Sequence, residues 1–275
     1  YRRQRQMCIR DRFRIVFDGV YMNSEVFLNG VSLGHRPYGY ITFSYDLTPH
    51  LKWGEKNVLA VRVDNSEQPN SRWYSGCGIY RNVWLVKTGA VHVAEWGTYA
   101  TVSEVSDVQA DLDIQTRVAN ESAMPAQVKV HSSLLDAEGL IVASGETDCF
   151  VEAGKEIEVS QQLKVGNPER WDIDTPYLYT LLTEVVQEGK QVDRYETPVG
   201  IRSFSFDAEK GFILNGRLMK INGVCMHHDL GCLGAAVNVR AMERQLEILK
   251  EMGCNGIRCS HNPPAPELLD LCDRM

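Results

Sequence analysis

Between Phe13 and Gly200 the sequence carries no run with the spacing of an amphipathic helix. It alternates apolar and polar residues in short runs that turn residues interrupt. Residues 111–118 (DLDIQTRV) keep a period of two, as do 127–134, 157–163 and 177–181. Asn29-Gly30 between Glu25–Leu28 and Val31–Gly34 is a strong two-residue hairpin signal, and Asn215-Gly216 repeats it later. Further turns fall at 136–139, 152–155 and 187–190, and Val58–Val63 reads as a buried strand. A chain patterned in this way must bury one face of each strand against another sheet, so β-sandwiches are the expected fold. Roughly seven short strands over ~100 residues after Ala90 fit an immunoglobulin-like sandwich.

Past Gly200 the pattern changes. A strand at Lys220–Val224 leads into a loop, Cys225–Asp229, that holds His227, His228 and Asp229. Asn238 is a fitting N-cap for a helix whose Met242, Leu246, Leu249 and Met252 share one face, and Gly253 is a fitting stop. A strand at Asn255–Cys259 follows, then Ser260, His261, two prolines and a helix over about 265–273. Strand, loop and helix twice over are the start of a parallel α/β unit, in which loops at the carboxyl ends of strands line one mouth. His227-His228-Asp229 and Arg258-Cys259-Ser260-His261 would then converge. Each has a plain alternative. The two histidines could cap the helix or sit in a surface loop, Arg258 could be a structural ion-pair partner, and Ser260 could be an N-cap. His227-His228-Asp229 also resembles a metal motif, but adjacent histidines rarely chelate one ion without a third ligand at proper spacing. Cys259 as a nucleophile is disfavoured, because it points away from Arg258 and Ser260 along the strand.

Composition narrows the function. The net charge of −7 lacks the basic face of a nucleic-acid-binding domain. No apolar run approaches the ~20 residues that span a bilayer, and a soluble protein is expected. Six arginines crowd residues 1–14. They read either as a basic arm for RNA or as a foreign leader over residues 1–12, and the lack of periodicity favours the leader. With no initiator Met and no apolar signal core, the chain reads as starting inside a domain. Periplasmic, secreted and cytoplasmic locations all stay open. Eight cysteines include no C-x-x-C pair and imply no disulfide framework.

The order FDGV (17–20), VFLNG (26–30), GY (39–40), NVLAVRV (57–63) and RWYSGCGIYRNVWL (72–85) resembles the N-terminal sugar-binding jelly-roll domain of glycoside hydrolase family 2. NGIRCSHNPP (255–264) resembles that family's barrel signature, and GVCMHHD (223–229) the loop after its first barrel strand. The resemblance implies a multidomain, mainly β chain. A partial jelly-roll β-sandwich over 13–88 is followed by an immunoglobulin-like β-sandwich over 89–201. The first βα units of a TIM (β/α)8 barrel then occupy 202–275.

It also implies carbohydrate as the substrate. His261 would contact sugar hydroxyls, Arg258 would brace the acid/base region, and His228 and Asp229 would lie near the substrate. In the family the 72–81 loop reaches towards the sugar site, and an acid often precedes its Trp. Here Asn70-Ser71-Arg72 stands instead, and Arg72 or Arg81 could simply pair with surface acids. Retaining glycosidases need two carboxylates, which the family places on later barrel strands. Glu243, Glu247, Glu251 and Glu267 fall on the predicted helices, so no catalytic residue is assigned within the chain.

The expectation is therefore a fragment of a retaining β-glycosidase, most like those acting on β-galactosides and inactive by itself. β-Glucuronidase and β-mannosidase are the alternatives within the family, and a non-catalytic carbohydrate-binding sandwich is the alternative outside it. Reading the frame past Met275 for an Asn-Glu pair at a strand end would separate enzyme from binding module. For the full-length enzyme the resemblance admits a sodium or divalent ion and a homo-oligomer, neither assignable to residues here.

Overall fold

A computed structural model of the chain describes residues 11–67 and 69–275. The arginine-rich start up to Arg10, where most of the leader was expected, lies outside them. Contacts divide the described chain into two compact units. One joins residues 11–87 to 221–272, and the other is built mainly from residues 88–220.

In the first unit, residues 11–87 form β1 (Arg12–Phe17), β2 (Val20–Tyr21), β3 (Ser24–Leu28), β4 (Val31–Arg36), β5 (Phe43–Asp46), β6 (Leu59–Arg62), β7 (Gly78–Ile79) and β8 (Val83–Thr88). They make sheets ordered β5-β1-β8 and β4-β3-β6, with β2 paired to β7. The Asn29-Gly30 turn joins β3 to β4 with both residues at positive φ, 54° and 85°. Those values match a two-residue turn whose twist suits the flanking strands. Phe13, Ile15, Phe17, Val20, Val26, Leu28 and Phe43 form the core, with Phe17 and Phe43 stacked at 5.2 Å. β6 differs from expectation, since Leu59 is 38% exposed.

The second unit contains β9 (Val91–Val105), β10 (Gln109–Asn120), β11 (Ala126–Leu135), β12 (Ile141–Val151), β13 (Lys155–Gly166), β14 (Tyr179–Gln187) and β15 (Lys190–Val199). Seven antiparallel strands are arranged as β13-β10-β9 against β12-β11-β14-β15. Alternation carries through to burial. In β10, Ala110, Leu112, Ile114 and Val118 turn inward and are at most 1% exposed. They meet Leu134, Leu181 and Val185 from the facing sheet. The strands are longer than the sequence suggested, β9 reaching 15 residues. β9 and β10 run through two register shifts, and at the second a bulge holds Trp96 at positive φ. A small sheet follows of β16 (Phe204–Asp207), β17 (Gly211–Leu214) and β18 (Arg217–Leu218), of which β16 was not anticipated.

The first unit resumes with β19 (Gly223–Met226), α1 (Val239–Glu251), β20 (Gly256–Cys259) and α2 (Pro266–Arg274). β19 and β20 are parallel, with Cys225 opposite Arg258. Cys225 and Met226 thus belong to the strand and not to the loop. Asn238 caps α1, its side-chain oxygen accepting from the Ala241 N–H at 3.0 Å. At the other end Gly253 takes φ 87°, its N–H donates to the Lys250 carbonyl, and the Cys254 N–H donates to Leu249. That pair of bonds is a Schellman cap. Met242 and Leu246 are buried, whereas Met252 is 69% exposed, so the buried stripe is shorter than the sequence pattern.

Candidate functional site

The site lies at the carboxyl ends of β19 and β20, within the first unit. The Ser260 N–H donates to the Met226 carbonyl at 2.7 Å, which carries the strand pair one residue further and releases the two following loops side by side. His227 leaves one strand and His261 the other, both exposed, with ring centroids 6.2 Å apart. The loop of residues 65–77 brings a third ring. Trp73 stacks on His227 at 5.5 Å with planes 16° apart, and lies 5.9 Å from His261.

Beneath this exposed layer is an inner one of Tyr21, Tyr40, Tyr80 and His228. Tyr40 is 5.1 Å from Tyr21, 6.5 Å from Tyr80 and 5.5 Å from His228. The Trp73 indole N–H donates to the Tyr40 hydroxyl at 3.0 Å and ties the layers together. Burial pushes the Tyr80 phenol up to about 12, and Tyr40 is raised for the same reason, so both are neutral hydrogen-bonding groups at physiological pH. Asn70 has a definite task. It accepts from the Tyr21 hydroxyl at 2.7 Å and donates to Asn65 at 2.9 Å, which fixes the start of the Trp73 loop.

Each anticipated site residue has a distinct setting. His261 stands at the outer surface between Trp73 and His227. His228 is half-buried under it, and its Nδ1 accepts from Asn262 Nδ2 at 3.2 Å. Burial lowers the His228 pKa, with Arg81 acting the same way and Asp229 opposing. A neutral imidazole with a free Nδ1 lone pair is what that hydrogen bond requires. Asp229 is half-buried, and its backbone carbonyl accepts weakly from Gln245 at 3.5 Å. Arg258 lies exposed along β20, donating to Ser260 Oγ at 2.8 Å and reaching Cys225 Sγ at 3.8 Å. That contact pulls the Cys225 thiol down, whereas burial pushes Cys259 up, as two cysteines on opposite strand faces should behave. Three of the alternative roles are not taken up. Asn238 caps α1 in place of either histidine, α2 starts six residues after Ser260, and Arg81 is 5% exposed instead of pairing at the surface.

Trp73 is the site residue that sequence reasoning left undecided, and His227 the one it passed over in favour of His228. Their signals were present in the RWYSGCGIYR run and in the His-His pair. Nothing local says which of two adjacent histidines faces outward. The outer layer offers imidazole donors and acceptors beside an aromatic face, a set suited to hydroxyls and to the apolar face of a sugar ring. Three glutamates of the helices are engaged elsewhere. Glu243 and Glu247 pair with Arg240 on α1, and Glu267 accepts from Asn82. Among the described residues no group of three or more His, Cys, Asp or Glu is placed to hold a metal ion.

Comparison with known proteins identifies the family. Residues 91–202 match the model for glycosyl hydrolases family 2, and residues 207–275 match that family's TIM barrel domain. The beta-galactosidase BoGH2A of Bacteroides ovatus is 72% identical over 96% of this chain, which spans 31% of that protein. A putative beta-glucuronidase of Formosa agariphila is 39% identical over 95% of the chain and 24% of its own length. A solved family 2 member from Bacteroides cellulosilyticus superposes with a TM-score of 0.94 at 38% identity, over 96% of this chain and 36% of that one. The chain thus spans about a third or less of these relatives.

Proposed function

Because the chain belongs to glycosyl hydrolase family 2, we propose that it forms one wall of the substrate site of a retaining β-glycosidase that hydrolyses terminal β-D-galactosides. The observation that carries the reading is the convergence of His227, His261 and Trp73 at the ends of two parallel strands. In this reading His261 hydrogen-bonds sugar hydroxyls, and Trp73 lies against the ring beside His227. Arg258 braces the region where the acid/base group works. His228 and Asp229 act from below, His228 through Asn262. Residues 13–88 serve as a jelly-roll domain, 89–201 as a spacer sandwich and 202–275 as the opening of the barrel.

The reaction needs one carboxyl group to protonate the glycosidic oxygen and a second, about 5–5.5 Å away, to trap the sugar covalently before water releases it. Both belong to later barrel strands in this reading. The residues here bind and orient the sugar. A β-glucuronidase is the second reading, favoured by the Formosa relatives that carry that name. The test is turnover of a panel of chromogenic β-galactoside, β-glucuronide and β-mannoside substrates by the complete protein. Fastest turnover of the galactoside is expected. Turnover of the glucuronide alone would install the second reading, and turnover of none would remove both.

A further inference from the structure

Arg81 lies in the segment 11–87, yet its shortest hydrogen bond is to the loop that presents His261. Its Nη2 donates to the Pro263 carbonyl at 2.7 Å and its Nη1 to the Pro264 carbonyl at 3.2 Å, across 182 and 183 positions of sequence. The same guanidinium reaches the carbonyls of Tyr40 at 3.2 Å and Asp18 at 3.4 Å. Four backbone oxygens from three stretches of chain therefore meet at one planar cation. Its Cζ lies 5.1 Å from the Tyr80 ring centre. Burial lowers its pKa, and the charges of Glu267 and Asp18 oppose that shift. The space is made for it: a Cβ on Gly19 would come within 2.8 Å of Arg81 Cδ.

The loop needs such a clamp. Pro263 and Pro264 have no N–H to donate, so carbonyls are the backbone handles left at those two positions. On the other side Ser260 N–H is fixed to Met226 and Asn262 to His228. His261 sits between these anchors, with its ring near Trp73 and His227. We propose that Arg81 is a positioning residue for sugar binding, a fork whose grip on Pro263 and Pro264 sets the placement of His261 against Trp73 and His227. The role rests on the glycosidase reading above. It calls for a guanidinium, because an ammonium is a point donor without a planar fork.

The test uses the complete enzyme, with R81M and R81K measured beside the parent. A ground-state sugar contact that is misplaced raises KM for a β-galactoside, and Ki for free galactose, by about tenfold while kcat changes far less. R81M is expected to show this split below its melting temperature, with added guanidinium ion restoring part of the affinity. R81K keeps the charge opposite Asp18 and Glu267 and so keeps the fold, but it should bind galactose more weakly as well. It decides the matter if R81M does not fold. Unchanged KM and Ki in R81K, or in folded R81M with nothing altered but the melting temperature, would overturn the proposal. A parent enzyme inactive on every glycoside would instead count against the glycosidase reading.

Discussion

His227 and His228 are neighbours in sequence, but the first lies exposed against Trp73 and the second turns under the loop onto Asn262. The difference is testable by pH. Burial holds the folded-state pKa of His228 below the usual imidazole value, so the unfolded chain takes up a proton before the folded one does. Stability from His228 is present above the ordinary imidazole range and is lost as pH falls through it towards the lower folded value. Arg81 and His227 add to the depression, and Asp229 offsets part of it. The melting temperature of the parent chain should drop more steeply than that of His228→Gln between about pH 7 and about pH 5. Parallel curves would show that His228 titrates as an exposed histidine does.

At the scale of elements, features set within a few residues were legible. Asn29-Gly30, Asn215-Gly216, the Asn238 cap and the Gly253 stop all depend on backbone conformations that one or two side chains decide. Asn238→Ala should cost α1 about 1 kcal/mol in urea denaturation, with Asn238→Ser close to the parent. Gly253→Ala should cost a similar amount, about 1 kcal/mol, because φ is positive there. A loss near zero in both variants would mean that α1 is held by packing of Met242 and Leu246 alone. The unforeseen elements were those that partners define. β16 reads weakly by itself and exists by pairing with β17, and β9 extends through a bulge that no local signal marks.

At the scale of the molecule, the two sandwich regions and the βα repeat followed from periodicity. The joining of residues 11–87 with 221–272 did not, since it rests on contacts such as Arg81 to Pro263 that are 182 positions apart. The seven-stranded unit owns two core clusters, which between them draw on residues from Val91 to Ile201. Residues 88–220 expressed alone should therefore unfold in one cooperative transition. Residues 11–87 alone should not, because Arg81 would be left without the two proline carbonyls that it binds. Calorimetry of the two pieces checks this, and a cooperative transition in the shorter piece would contradict it.

The glycosidase reading itself turns on His261. In the complete enzyme, His261→Ala should raise KM for a chromogenic β-galactoside and Ki for galactose by at least about tenfold, the cost of losing a hydrogen bond to a bound sugar. Wild-type values for both in a folded His261→Ala enzyme would contradict the claim that the ends of β19 and β20 form the sugar-binding wall.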